Sequence, residues 1–273
     1  MLKVKCPAKI NLTLEILNKR ADGYHDIQSV MQTIDLFDYL TIDIEKSCEN
    51  IIELSGSSTE IPYDSSNLVH KAGMLFLDKL NQTYKVNVFI EKNIPIAAGL
   101  AGGSSDAAGI LLGLNELLNQ PFSKSDIHAL CSKLGSDLNF CLEGGCKLAT
   151  GRGEILQPLS FKEFDVTLIK PKHLGVSAKE AYTKYSNLLS KPKLNKTKEF
   201  INGDFSALQN DLEYALIKDY KELQLIKKKY PNSLMTGSGS TFFVLERDIP
   251  NLLDDRYEII EGLKSIDYGA ALF

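Results

Sequence analysis

A glycine-rich segment between a strand-like and a helix-like stretch is the feature that most constrains how this chain can fold. Apolar and polar residues alternate over residues 84–91, which predicts a half-buried strand. Residues 99–105 then contain three glycines and two serines, and the apolar run 110–118 predicts a helix. A glycine turn directly before a helix lets backbone N–H groups approach an anion, and the helix dipole favours negative charge there. The sequence therefore predicts a phosphate-binding turn between a strand and a helix.

This turn matches neither of the common nucleotide-binding motifs. No G-K-[ST] follows the glycines, and the G-x-G-x-x-G spacing is absent. Taken alone, a glycine cluster is more often a tight turn of small residues packed on a sheet. Both interpretations stay open until the neighbouring sequence is considered.

The amino-terminal segment has the period of a strand with two different faces. Every second residue from 4 to 16 is apolar, which predicts a half-buried strand. Lys9, Asn11 and Thr13 share the opposite face, which faces either solvent or a cleft. Pro7 has no N–H to donate, so we expect this part of the strand at an edge or a bulge.

Other elements follow from the same patterns. Further strands are predicted over residues 39–44, 51–54 and 165–169, and a helix over residues 67–80. Ser123, with Asp126 three positions later, predicts the start of another helix that ends at Gly135, and Asp137 lies just beyond that end. The lysine-rich stretch 190–198 contains a proline and is interpreted as an exposed, solvated loop.

Composition and charge exclude several classes of protein. The 273 residues, 44% hydrophobic and 24% charged, supply a core for one large or two modest domains, and we expect two. The formal net charge of −4 argues against a surface built to hold nucleic acid. Five scattered cysteines without a C-x-x-C pair favour neither a disulfide framework nor a zinc site. There is no signal-peptide pattern, and no apolar run reaches the roughly 20 residues of a membrane span. We therefore expect a cytoplasmic protein.

Three segments together resemble the GHMP kinases, the superfamily of galactose, homoserine, mevalonate and phosphomevalonate kinases. Residues 95–108 resemble its phosphate-binding signature, residues 7–12 its first motif and residues 236–242 its glycine-rich third motif. The three occur in the superfamily's order over nearly the whole chain. The resemblance implies an α+β fold of two domains, with the active site in the cleft between them. The expected domains are a ribosomal-protein-like α+β domain over residues 1–152 and a ferredoxin-like domain over residues 153–273.

Four further segments are similar to one branch of this superfamily. They are residues 20–25, 134–137, 151–154 and 210–213. That branch acts on a cytidine diphosphate derivative of methylerythritol in isoprenoid precursor synthesis. The resemblance implies transfer of the ATP γ-phosphate to the 2-hydroxyl of that small molecule, without nucleic acid or membrane partners, by a monomer or weak homodimer.

The resemblance also implies roles for residues near the predicted strand and helix ends. Asp137 matches the family's catalytic aspartate, which accepts the proton of the attacking hydroxyl. Lys9 would orient that hydroxyl and offset negative charge, and Asn11, on the same strand face, would donate to the substrate. Alone, such residues would more often be a solvated lysine and a turn aspartate.

Three aromatic residues match the part of the family that reads cytidine. Tyr24 and His25 resemble a pair of which one stacks on cytosine and the other hydrogen-bonds its edge, and Tyr182 would form the second aromatic wall. The sequence departs from the family at Ala178, where a threonine is common, and at residues 138–139, which are Leu-Asn in place of Val-Pro.

On the ATP side the resemblance implies a set of residues along the glycine-rich segments, with Mg²⁺ as the accompanying ion and no firm metal ligands. The candidates are Asn67, Lys92, Pro95, Gly99, Leu100, Ala101, Gly102, Gly103, Ser104, Ser105, Gly237 and Ser238. Asn67 and the main chain near Lys92 are expected at the adenine or ribose.

Three alternatives are weighed against this interpretation. A kinase of the homoserine or mevalonate type would have no cytosine to stack against Tyr24, His25 and Tyr182. A non-catalytic metabolite sensor on the same fold would be expected to have lost Lys9 or Asp137. An RNA-binding module has only the lysine-rich stretch in its favour and the net charge against it.

Overall fold

The computed structural model describes residues 1–189 and 195–273. Its strands are β1 (Leu2–Lys19), β2 (His25–Lys46), β3 (Ile51–Gly56), β4 (Tyr84–Glu91), β5 (Cys146–Thr150), β6 (Ile155–Pro158), β7 (Asp165–Pro171), β8 (Gln209–Asn210), β9 (Leu234–Met235), β10 (Phe242–Val244), β11 (Tyr257–Ile266) and β12 (Ala271–Leu272). Its helices are α1 (Leu68–Leu77), α2 (Gly102–Leu117), α3 (Lys124–Leu134), α4 (Leu138–Glu143), α5 (Ala178–Ser186), α6 (Lys196–Ile201), α7 (Asp211–Leu216) and α8 (Lys221–Lys229).

A long antiparallel hairpin of β1 and β2 forms the centre of the sheet. Its pairing runs from Leu2 opposite Ile42 to Lys19 opposite His25. The register shifts between Pro7 and Ala8, so the predicted bulge at the proline is confirmed. The hairpin is flanked by β12 on one side and by β4, β5 and β11 on the other.

The strands and helices predicted from alternation and capping are confirmed. The predicted strands fall within β2, β3, β4 and β7, and the helix predicted over residues 67–80 is α1. Ser123 caps α3 with Asp126 in a reciprocal capping box, and the helix ends before Gly135. Capping signals located this helix because they satisfy particular backbone N–H groups at its start.

The helix that follows the glycine turn begins earlier than predicted. Residues 102–105 form the first turn of α2 instead of a loop before it. The helix packs closely on β1 and β2, since a Cβ on Gly109 would lie 2.4 Å from Cys6 Sγ and one on Gly113 2.4 Å from Ile42 Cδ1. Small residues are required at that contact, so a search for an apolar run finds only the later part of the helix.

Residues 190–198 were interpreted as an exposed loop, and for the described part of this stretch, residues 195–198, that interpretation is wrong. Residues 190–194 lie outside the described residues, but α6 begins at Lys196. Thr197 is fully buried, and its N–H and that of Lys196 point at Glu15 Oε1 on β1, 3.3 and 2.7 Å away. A carboxylate from a distant strand thus caps the helix, which a local charge pattern does not reveal.

Hydrophobic clusters tie the sheet to both groups of helices. One cluster packs α1, α2 and α3 on the amino-terminal strands, and a second surrounds β7, β10 and helices α5, α7 and α8. A third, which includes Ile10 and Leu168, joins β1 to β7. The hairpin of β5 and β6 pairs across the expected boundary at residues 152 and 153, and that division stays a prediction.

The five cysteines are free thiols in the structure. Among the described residues, no helix is both long and apolar enough to cross a bilayer.

Candidate active site

The three resembling segments meet around the buried side chain of Lys9. The Lys9 N–H donates to Leu100 O at 3.1 Å, and Lys9 Nζ donates to Gly99 O at 3.0 Å. The N–H of Asn11 donates to Thr236 Oγ1 at 3.1 Å. Segments about ninety and more than two hundred residues apart in sequence are therefore in direct contact at one point of β1.

Lys9 is a buried lysine, which is uncommon for a residue on the polar face of a strand. Its side chain is 3% exposed, and Asn11 and Thr13 are buried beside it. Lys9 Nζ donates to Asn11 Oδ1 at 2.6 Å in addition to Gly99 O. The sequence left open whether this face of β1 is exposed to solvent or faces a cleft. The burial of its side chains excludes exposure to solvent.

The third glycine segment passes close to Lys9 because it lacks side chains. Gly237 has a φ of +53°, and a Cβ there would lie 2.8 Å from Gly99 O and 3.0 Å from Lys9 Nζ. Asn210 fixes this segment, since its Nδ2 donates to Met235 O at 2.6 Å and to Gly237 O at 2.8 Å. The resemblance included Asn210 without assigning it a role. Its two partners are 25 and 27 residues away, so the sequence near Asn210 gives no sign of these contacts.

Asp137 lies at the start of α4, directly after the end of α3. It occupies the capping position of α4, and its side chain makes no capping hydrogen bond. Burial raises the pKa of the Cys141 thiol well above its usual value, the charge of Asp137 raises it further and that of Lys9 opposes the shift. Burial and then Asp137 also raise the pKa of Tyr182. The charge of Asp137 thus acts on both Cys141 and Tyr182, and the charge of Lys9 also acts on Cys141. Within the described residues, no ion pair joins Asp137 to Lys9.

The predicted head-group residues also lie together. The rings of His25 and Tyr182 stack with centroids 5.2 Å apart, and His25 Nε2 is 2.9 Å from Ser186 Oγ. Tyr24 is 54% exposed, and the Arg152 guanidinium lies 4.9 Å from its ring centroid. The stacked rings of His25 and Tyr182 and the exposed ring of Tyr24 therefore lie together at the turn between β1 and β2.

The segment predicted to bind phosphate places the start of α2 next to an open space. Ala101 adopts a left-handed conformation with φ +57°, and α2 begins at the next residue. A Cβ on Gly103 would meet nothing within 4 Å, whereas one on Gly102 would lie 2.7 Å from Lys92 Nζ. The hydroxyl of buried Ser105 has no hydrogen-bond partner among the described residues.

The remaining ATP-side candidates are distributed along the same edge. Pro95 is half-buried, Leu100 is buried, and Ser104 and Ser238 are half-buried. Asn67 Oδ1 accepts the N–H of Val69 at 2.9 Å, so its side chain caps α1.

Lys92 belongs to a buried charge cluster that sequence reasoning missed. Its ammonium pairs with Asp38 and, at 3.2 Å, with Asp106 Oδ2, and all three side chains are at most 6% exposed. Asp38 Oδ1 also accepts the N–H groups of Asn93 and Ile94 at 2.6 and 2.8 Å. Burial raises the pKa of Asp106 well above its usual value, Lys92 opposes this shift and Asp38 adds to it. Burial in this cluster therefore favours the protonated form of Asp106.

Asp106→Asn should make the stability less dependent on pH. Because folding raises the pKa of Asp106, the folded chain keeps a proton that the unfolded chain loses above about pH 4, and the free energy of unfolding falls as pH rises. An amide has no such proton, so with a folded-state pKa of about 8 for Asp106 the variant should gain roughly 4 kcal/mol relative to the wild type between about pH 5 and pH 8.5. Urea unfolding at both pH values measures this, and a constant difference would show that Asp106 is ionised throughout.

Comparisons with known proteins agree with this architecture. A family model described as the GHMP kinases N terminal domain matches residues 67–145. A crystal structure of a homoserine kinase from Cytophaga hutchinsonii is 15% identical, with a TM-score of 0.72 over 100% of this chain and 97% of that one. At that identity the likeness concerns the fold alone, and the chain has the GHMP kinase fold.

Relatives with higher identity are more specific. A crystal structure of a 4-(cytidine 5'-diphospho)-2C-methyl-D-erythritol kinase is 31% identical, with a TM-score of 0.74 over 89% of this chain and 90% of that one. A 4-diphosphocytidyl-2-C-methyl-D-erythritol kinase from Bacillus cereus is 39% identical over 96% of this chain and 93% of its own length. The enzyme of the same name from Caldanaerobacter subterraneus is 41% identical over 98% of both chains. With these identities maintained over nearly its whole length, the chain belongs to the 4-diphosphocytidyl-2-C-methyl-D-erythritol kinase family.

Proposed function

We propose that this chain transfers the γ-phosphoryl group of ATP to the 2-hydroxyl of 4-diphosphocytidyl-2-C-methyl-D-erythritol. The observation that carries the proposal is the buried ammonium of Lys9, held where the two glycine-bearing segments, residues 95–108 and 236–242, meet β1. Phosphoryl transfer requires mainly positioning and charge stabilisation, and a fixed cation next to an open helix N terminus supplies both. Membership of the family supports the identity of the acceptor.

The acceptor hydroxyl places a particular demand on the site. In a 2-C-methyl-erythritol, carbon 2 carries a methyl group as well as the hydroxyl, so the nucleophile is a crowded tertiary alcohol. We assign proton removal to Asp137, whose side chain is not used to cap α4. Lys9 would hold the hydroxyl oxygen and offset the charge of the transferred group, while the second hydrogen of Asn11 Nδ2 is available to donate to the substrate.

On the nucleotide side, the first turn of α2 would hold the ATP phosphates. The N–H groups of Gly102, Gly103 and Ser104 have no partner within the helix, whereas that of Ser105 donates to Ala101 O at 2.9 Å. The helix dipole adds favourable potential at this end. The segment 99–101 leads into this turn, and residues 237–238 lie across from it. The Lys92 N–H already donates to Ser57 Oγ at 2.9 Å, so a main-chain contact to adenine there would come from the carbonyl. Asn67 Oδ1 caps α1 and its Nδ2 donates to Pro62 O at 2.6 Å, so a contact to the nucleotide would use the second hydrogen of Nδ2.

Mg²⁺ is inferred as the partner of ATP. This ion keeps several waters and is usually bound through substrate phosphates with one or two protein oxygens. The hydroxyl of Ser105, which has no hydrogen-bond partner among the described residues, fits such a limited contribution, and Ser104 is the alternative. When bound, the ion would neutralise negative charge on the phosphates.

Gly103→Val should weaken ATP binding without unfolding the protein. A Cβ at this position meets nothing in the chain, so the branched side chain would extend into the space proposed for phosphate. We expect the Kd of a non-hydrolysable ATP analogue to rise at least about thirtyfold, roughly 2 kcal/mol, in calorimetric titration. Gly103→Ala is the smaller matched variant and should weaken binding less.

The contrast with Gly102 separates a binding effect from a folding effect. Gly102→Val would bring a side chain against the Lys92 ammonium and should lower the melting temperature. If Gly103→Val bound the analogue as tightly as the wild type, the turn would be only a packed turn of small residues.

The cytidine head group is assigned to Tyr24, His25 and Tyr182. Stacking on an aromatic ring contributes about 1 to 3 kcal/mol per base but does not distinguish bases, so discrimination must come from hydrogen bonds to the base edge. His25 is held by its stacking on Tyr182 and its contact with Ser186, which suits a residue that presents one edge. The third ring, Tyr24, is exposed and able to cover the base.

A coupled ADP-release assay with a panel of acceptors tests the function. The panel contains the cytidyl substrate, its uridine analogue, homoserine and mevalonate, with Asp137→Asn as the control for acceptor-independent hydrolysis of ATP. We expect the highest kcat/KM for the cytidyl substrate. Faster turnover of homoserine or mevalonate would leave only the superfamily assignment, and no turnover at all would favour a sensor. A cytoplasmic location and a monomeric or weakly dimeric state remain part of the proposal.

A further inference from the structure

A buried chain of hydrogen bonds runs along the polar face of β1 to the Lys9 ammonium. Lys9 Nζ donates to Asn11 Oδ1 at 2.6 Å, and Asn11 Nδ2 donates to Ser29 Oγ at 2.8 Å. The Ser29 hydroxyl in turn donates to Thr13 O at 2.5 Å. All four residues are at most 3% exposed. Ser29, on β2, links Asn11 to Thr13, and no proposed step of the reaction uses either Ser29 or Thr13.

The direction of every bond in this chain is fixed by its two ends. The Thr13 carbonyl can only accept, so the Ser29 hydrogen must point towards it. Ser29 then faces Asn11 with a lone pair, and Asn11 must present its NH₂ group to it. The Asn11 oxygen is thereby turned to Lys9, whose ammonium can only donate. An amide that is isosteric in its two orientations is thus held in one of them.

Thr13 is itself held in place, so the chain has a fixed anchor. Thr13 Oγ1 accepts the N–H of Val30 at 2.9 Å and lies 2.9 Å from Thr197 Oγ1 on α6. These two contacts hold the Thr13 side chain, and the Thr13 carbonyl accepts the hydrogen bond from the Ser29 hydroxyl across the hairpin. A low-dielectric surrounding strengthens such a chain and makes an unpaired member costly.

We propose that Ser29 is a positioning residue, which orients the Asn11 amide so that its oxygen holds the Lys9 ammonium for phosphoryl transfer. This inference rests on the proposed role of Lys9. Without the Ser29 hydroxyl, the Asn11 NH₂ group loses its acceptor, and the amide can rotate and present donors to the ammonium. Lys9 would then be held by Gly99 O alone and would be less well placed.

Three replacements of Ser29 separate this role from packing. Ser29→Ala removes the hydroxyl, Ser29→Cys keeps the shape with a weak donor and acceptor, and Ser29→Thr keeps the hydroxyl. We expect kcat to fall about tenfold in the Ala and Cys variants, with the KM for ATP within about twofold of the wild type. Ser29→Thr should restore most of kcat. A loss of melting temperature with unchanged kcat in all three would overturn the proposal.

A double-mutant cycle with Asn11→Ala tests whether Ser29 acts through Asn11. If it does, adding Ser29→Ala to Asn11→Ala should lower kcat by less than about twofold further, because the link is already broken. If the reduction of kcat in the double variant equalled the product of the reductions in the two single variants, the proposal would be contradicted.

An NMR readout that does not depend on activity keeps this proposal separate from the proposed function. Hydrogen exchange of the Asn11 side-chain amide should be slow in the wild type and in Ser29→Thr and fast in Ser29→Ala. If this pattern holds while Lys9→Met keeps full activity, the proposed role of Lys9 in phosphoryl transfer fails and the orientation of Asn11 by Ser29 survives. Equal exchange in the wild type and Ser29→Ala would overturn the orientation itself.

Discussion

Asp137→Asn is expected to keep the fold and ATP binding and to lose nearly all turnover. An amide of the same shape cannot accept the proton of the attacking tertiary hydroxyl, and a positioned base contributes about 10² to 10⁴ in rate. Its side chain does not cap α4, so the replacement should cost little stability. We expect kcat to fall about a thousandfold, roughly 4 kcal/mol of barrier, in a steady-state assay with the cytidyl substrate.

The matched control is Asp43→Asn, which removes an exposed carboxylate on β2 that pairs only loosely with the amino terminus, at 3.6 Å. It should leave kcat unchanged. If Asp137→Asn retained more than about a tenth of the wild-type kcat, a barrier change below about 1.4 kcal/mol, Asp137 would not be the base.

Lys9→Met should reduce kcat by at least about a hundredfold, roughly 2.7 kcal/mol. Methionine fills similar space without a charge, so it removes the cation that we propose to face the transferred group. It also takes the Lys9 donor away from Asn11 Oδ1 and Gly99 O. Because the lost contact belongs mainly to the transition state, kcat should change more than the KM for either substrate. Stopped-time assays with both substrates varied give this division.

Lys3→Met provides the comparison on the same strand, because Lys3 is an exposed residue of β1. Its activity should equal that of the wild type. A Lys9→Met variant with a raised KM and an unchanged kcat would mean that Lys9 binds the ground state and does not assist transfer.

Local patterns predicted the elements whose causes are local. Alternation located β4, the capping box at Ser123 located α3, and the missing N–H of Pro7 located a bulge. The start of α2 and the existence of α6 were missed because their causes are not local. The packing of Gly109 on Cys6 and the capping of α6 by Glu15 both come from distant parts of the chain.

The same distinction holds within the site. The predicted residues follow from motifs, and the structure brings Lys9 together with Gly99 and with Asn11. The residues around them could not be read from the sequence. Asp38 lies 54 residues from Lys92, and Ser29 is 18 residues from Asn11 across the hairpin, without a sequence signal for either contact. Buried polar contacts of this kind depend on the register of β1 with β2, which only the folded sheet defines.

The position of the new phosphate in the product tests the central claim most directly. The wild-type enzyme would be incubated with ATP and 4-diphosphocytidyl-2-C-methyl-D-erythritol, and the proton-coupled ³¹P spectrum of the purified product recorded. Carbon 2 bears no hydrogen, so a phosphate on the 2-hydroxyl should give a monoester signal without three-bond coupling to a proton. A doublet would place the phosphate on a secondary hydroxyl, of the erythritol unit or of the ribose, and a triplet would place it on the primary hydroxyl. Either result would contradict the proposed reaction.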